Sequence, residues 1–194
     1  MKHCLVGLLF LGCALAQPET YLSANASTPE ATRGEARLLH YLPEDIPIEV
    51  YIPPPETANA ETVACLVEDA FRAWREVVPD LVSFTFVEWP SERSLVVVWD
   101  ALEAQPGGSF EYEWSIFQGQ YRFRTTKIIL DPNRNEGDLY RFALLQVGHA
   151  LGLLGRSPYR GDAMSRTPSG VISERDIATL RALYRLPSGT PLTQ

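Results

Sequence analysis

The spacing of apolar residues changes along the chain, and each change predicts an element. From Ile46 to Ile52, β-branched residues are separated by Pro47 and Glu49, which predicts a first strand closed by Pro53-Pro54-Pro55. Val63, Leu66, Val67, Ala70, Phe71, Trp74, Val77 and Val78 then recur at helical spacing. They predict an amphipathic helix with Asn59 as N-cap and Pro79 as its stop. Cys65 on this helix reads as a small packed side chain. Val82 to Val87 alternates and predicts a strand, and Leu95 to Trp99 is a continuous apolar run of the kind covered on both faces.

The stretch from Phe110 to Leu130 reads as a hairpin at a sheet edge, with Gln118-Gly119-Gln120 as its turn and Tyr121 to Leu130 as its second strand. Phe110, Tyr112 and Trp114 alternate with Glu111, Glu113 and Ser115, which predicts one apolar and one wet face. Asp138 is expected to cap a helix running through His149 to about Leu151, with Gly152 and Gly155 ending it. Ser173 and Asp176 open a last helix whose buried stripe is Ile177, Leu180, Leu183 and Tyr184, and Pro187 ends it. Strands alternating with helices give an α/β fold with a mainly parallel sheet.

Composition narrows the function classes. A length of 194 residues predicts one domain, and 45% hydrophobic against 21% charged residues supports a real core. The net charge of -7 argues against nucleic acid as a partner. Leu5 to Leu11 followed by Ala14-Leu15-Ala16 reads as a signal peptide over residues 1–16, cleaved before Gln17. Lipid attachment at Cys13 is the rival reading of this segment. No later stretch is long and apolar enough to span a membrane, so the mature protein is expected outside the cytoplasm, secreted or periplasmic. Residues 17–36 read as a flexible polar leader, 37–187 as the domain and 188–194 as a C-terminal tail. Cleavage would leave Cys65 as the one cysteine, with no internal disulfide. Asn25-Ala26-Ser27 is a glycosylation sequon, relevant only to a eukaryotic source.

The candidate chemistry lies between Leu145 and Met164. Leu145-Gln146-Val147-Gly148-His149-Ala150-Leu151-Gly152-Leu153-Leu154-Gly155-Arg156 resembles the metzincin zinc-peptidase signature H-E-x-x-H-x-x-G-x-x-H, in its matrixin form. Gly161-Asp162-Ala163-Met164 resembles the Met-turn of that family, and Ser173 to Tyr184 its final helix. The resemblance implies a twisted mixed sheet, mainly parallel with one antiparallel edge strand, an active-site helix and a C-terminal helix. In the full motif, two histidines at i and i+4 share a helix face, a glycine turns the chain, and a third histidine completes the zinc site. The glutamate beside the first histidine is the general base.

In this chain His149, Gly152 and Met164 match the pattern, while the chemical residues depart from it. Leu145 stands at the first ligand position and has no donor atom. Gln146 stands at the general-base position, where an amide has no useful basicity. Arg156 stands at the third ligand position as a permanent cation without a lone pair. The chain has three histidines, of which His3 leaves with the signal and His40 lies before the first strand. Asp131, Glu136, Asp138 and Asp162 are the nearby acids, and none sits at i±4 from His149. No cofactor is therefore expected, with zinc only if the family activity is retained. The resemblance implies accessory calcium and structural zinc sites built from Asp-Gly-rich loops and extra histidines before the active-site helix; the corresponding region, Gln105 to Gln120, holds no histidine, so no structural zinc is expected and calcium has no support. Two arrangements are open to Arg156: an ion pair with an acid such as Asp162, or exposure to solvent.

Three functions follow. The first is a secreted pseudopeptidase that retains peptide or protein binding along Phe110, Tyr112 and Trp114, although those aromatics would equally serve to cover the sheet. The second is an active zinc metalloendopeptidase with non-standard ligands. The third is a structural protein of the cell envelope.

Overall fold

The computed structural model describes residues 19–27, 36–101 and 107–192. The expected signal peptide and the 28–35 part of the leader lie outside the described residues, as do the side chains of the sequon and Gln105.

Five strands form one sheet: β1 (Ile48–Tyr51), β2 (Phe84–Phe86), β3 (Leu95–Trp99), β4 (Ser109–Phe117) and β5 (Gln120–Leu130), in the order β2-β1-β3-β5-β4. All neighbours pair parallel except β4 and β5, which form the antiparallel edge hairpin. Among the described residues, three α-helices accompany them: α1 (Ala60–Val77), α2 (Glu136–Ala150) and α3 (Glu174–Tyr184). The expected α/β architecture with a mainly parallel sheet and one antiparallel edge strand is thus observed.

The period-2 rule explains which sheet face is buried. Ile48 and Val50, Leu95 and Val97, and Ile128 and Leu130 are all nearly inaccessible and join the core with Val67, Phe71 and Trp74 of α1. The two helices are joined where Trp74 Nε1 donates to the Leu144 carbonyl of α2 at 2.9 Å. The opposite face carries Glu49, Val96, Val98, Lys127 and Glu111 and is only half-buried or exposed. Here the sequence expectation for Leu95 to Trp99 fails: Val96 and Val98 face the side without helices, so the run is fully buried on one face alone.

Other boundaries shift for local reasons. The first strand begins at Ile48, after Pro47, and the second is confined to Phe84–Phe86. The N-cap of α2 is Asn135 instead of Asp138, because the Asn135 side chain accepts the Asp138 N–H and places Asp138 inside the first turn. Asn59 caps α1 by position but makes no side-chain cap bond. Cys65 is exposed, not packed. It lies two residues from Val63 and from Val67, and so points away from the buried stripe.

The chain ends are tied to the domain. Tyr21 is 2% exposed, although it falls within the segment expected to be a flexible leader. Its N–H donates to Thr179 Oγ1 and its hydroxyl to Asp176 Oδ1 at 2.5 Å, both on α3. The tail folds back against residues 36–38: Leu38 N–H donates to Thr190 O, Gly189 N–H to Leu38 O, and Leu192 N–H to Ala36 O.

Candidate functional site at the end of the buried helix

Helix α2 is amphipathic only at its start. From Ala143 to Ala150 every residue is buried, so this segment passes between the sheet, α1 and the loop that follows. Its end is shaped by two backbone bonds. Leu153 N–H reaches back to Gly148 O and Gly152 N–H to His149 O, the paired pattern of a helix closed by a left-handed residue. Gly152 supplies that residue, at φ +106°, and a Cβ there would lie 2.2 Å from the Leu39 carbonyl oxygen. Gly148 faces Met164 and Trp74, and a Cβ there would meet the Met164 sulfur at 2.2 Å. Met164 is fully buried beneath this helix.

The loop after α2 is fixed by two buried acids. Asp162 accepts from Ser157 Oγ at 2.5 Å and from both Arg175 Nε and Nη2. Burial raises the Asp162 carboxyl, but hydrogen bonds from Arg175, Ser157 and Ser173 outweigh it and hold the pKa below the usual carboxylate range. Asp176 accepts from the Ala163 N–H, from Ser173 and from Tyr21, and so ties the loop, α3 and the N-terminal segment together. The proposed pairing of Arg156 with Asp162 does not occur. Asp162 is engaged by Arg175, and Arg156 is exposed.

The residues singled out from the sequence lie as follows. Leu145 is 1% exposed and belongs to the core cluster. Gln146 is equally buried, and its Nε2 donates to Gly107 O at 2.8 Å, which ties α2 to the residues entering β4. Among the described residues, nothing donates to its buried Oε1. His149 is buried, with Nδ1 2.6 Å from Leu153 O. Burial, and then the charge of Arg156, lower its pKa from 6.5 to about 3, against a smaller opposing effect of the Leu153 carbonyl. His40 is occupied elsewhere, its two ring nitrogens lying 2.8 and 2.9 Å from the carbonyls of Tyr41 and Leu186. Among the described residues, no three His, Cys, Asp or Glu side chains lie together as a metal-binding group. The donor set around His149 therefore does not fit a zinc ion held by three protein ligands.

Strand β4 is a sheet edge. Phe110 and Tyr112 stack on each other at 5.4 Å and turn onto Phe123, while Trp114 lies 5.0 Å from Tyr121. These rings pack on one another and on the hairpin partner strand. Two clefts lie away from this helix end. One of about 810 Å³ runs between Asp45, Glu49, Arg93, Phe117 and Arg122, and another of about 490 Å³ lies by Pro53, Val98 and Pro132. Neither is lined by Gln146, His149 or Arg156.

Sequence reasoning missed Tyr21, Arg175 and Gly107. Tyr21 and Gly107 act through contacts far away in sequence, and only the Ser173–Asp176 cap gave a local sign of the acid cluster. No family model matches the chain, and no curated protein matches it. No helix among the described residues is long and apolar enough to cross a membrane.

Proposed function

We propose that the chain is a matrixin-like metzincin scaffold, exported from the cytoplasm, that no longer hydrolyses peptides and serves instead to bind one. The observation that carries this reading is the split at the end of α2. Gly152 is left-handed and Met164 packs under Gly148, as the backbone frame of the signature would require. The chemical positions hold a core leucine, an amide tied to Gly107 and an exposed arginine. The strand order, with its antiparallel edge hairpin, is consistent with that scaffold. The edge position of β4 in the sheet gives an extended peptide a strand to pair with.

The test is to restore the lost chemistry. The triple variant Leu145→His, Gln146→Glu, Arg156→His should bind one zinc per chain in competition with a chromophoric chelator, whereas the natural chain should bind none stoichiometrically. A triple variant that keeps its circular dichroism spectrum but takes up no zinc would sink the scaffold assignment. Stoichiometric zinc in the natural chain, lost together with proteolysis in His149→Ala, would favour the non-standard peptidase instead.

A further inference from the structure

The parallel strands β1, β3 and β5 end at one rim of the sheet, and the chain leaves the first two in opposite directions. From β1 it passes through α1 to β2 on one side, and from β3 it runs to β4, beyond β5, on the other. Since β1 and β3 are direct neighbours, their connections part between their carboxyl ends. In open α/β sheets a crevice opens at such a switch point, and it is where ligands settle. The cleft of about 490 Å³ lies at this place. Pro53, Pro54 and Glu56 after β1, Asp100 after β3 and Pro132 after β5 all line it. Its volume falls in the range that takes a small ligand.

Most of its lining is apolar. Val96 and Val98 are half-buried and line it from the sheet face without helices. Trp99, at the end of β3, lines it too, and its Nε1 donates to the Pro53 carbonyl at 2.6 Å. That bond clamps the exit of β1 to the end of β3. With its N–H occupied, the indole has only apolar surface left to offer a ligand.

The charge in the lining has one sign. Glu56 and Asp100 are exposed, and neither makes an ion pair among the described residues. Asp131, which follows β5, is by contrast paired with Arg134. No Lys, Arg or His is among the described residues that line the cleft. Apolar walls with two unpaired carboxylates are complementary to an apolar body that carries positive charge.

We propose that this cleft binds a small amphipathic amine, an ammonium group on an apolar body. The body packs on Val96, Val98 and Trp99, and the ammonium is held by the carboxylates of Glu56 and Asp100. This site is separate from the end of α2 and does not depend on the ancestry proposed above.

Proton–nitrogen-15 NMR of the indole groups tests it, since Trp99 is one of four tryptophans and the one that lines the cleft. The probes are 2-phenylethylamine, the neutral 2-phenylethanol and the anionic 3-phenylpropionate. The amine should shift the Trp99 indole signal and leave those of Trp74, Trp89 and Trp114 in place. The alcohol and the acid should bind about tenfold more weakly or worse. A single exposed carboxylate contributes little, so both are replaced together. The double variant Glu56→Gln, Asp100→Asn should bring the amine down to the affinity of the alcohol without moving the melting temperature. Equal binding of amine and alcohol, an amine affinity unchanged in the double variant, or an unmoved Trp99 signal at millimolar amine would overturn the proposal. A lysine tripeptide capped at both ends should bind more weakly than the free amine. Tighter binding of that peptide would give the cleft to a peptide side chain and overturn the small ligand.

Discussion

At Gly152 the backbone sits at φ +106° with the Leu39 carbonyl oxygen against its Cα, so no side chain fits without moving the Leu39 segment. Gly152→Ala is therefore expected to cost at least about 2 kcal/mol by combining backbone strain with a clash. Gly148→Ala should cost about 1–3 kcal/mol, because the Met164 sulfur and Trp74 both lie within the space of the new methyl group. Urea denaturation of the two variants checks both values, and a native midpoint in either would contradict the packing described. His149 gives a pH signature. Its pKa of about 3 in the fold lies below the ordinary 6.5, so between these values the unfolded chain binds a proton that the folded chain does not. Its contribution to stability is complete above about pH 6.5 and is lost as pH falls toward 3, on the order of a few kcal/mol in all. His149→Gln should flatten that part of the stability profile, and an unchanged slope would mean that the ring is not buried neutral. The turn at Gly152 was legible, because a glycine after an apolar helical run marks a helix end. The bond from Gln146 Nε2 to the Gly107 carbonyl was not legible, because Gly107 is 39 residues away in sequence.

At the scale of elements, the N-terminal segment behaves as part of the domain. The Tyr21 hydroxyl donates to Asp176, and burial, then the Asp176 carboxylate, push its pKa upward. Tyr21→Phe should lose about 1.5–3 kcal/mol, the usual worth of a hydrogen bond to a charged acceptor. Thermal melts of this variant and of a chain truncated after Ser27 test the docking. Equal stability of all three proteins would show that the segment does not hold the loop. The helices were legible because their apolar stripes and caps are local, as with Ser173 and Asp176 in α3. The cap of α2 was misplaced by three residues, since Asn135 and Asp138 are both good caps and their mutual hydrogen bond decides between them. Cys65 was assigned to the packed face although the helical period puts it opposite.

At the scale of the whole molecule, one sheet face carries all the deep burial, and protection from hydrogen exchange should follow it. The amides of β3, the second half of β5 and residues 143–150 are expected to exchange last, and those at the hairpin tip around Phe117 to Gly119 first. Uniform protection along β4 and β5 would contradict that ranking. Periodicity and turn chemistry, which are properties of neighbouring residues, determined the element types and their order. The tertiary structure alone decided that Val96 and Val98 lack a covering helix, that Arg175 and not Arg156 neutralises Asp162, and that Tyr21 is docked. Each of these depends on which distant groups meet, and that choice is made by burial and by the need to pair every buried charge, which no local pattern records.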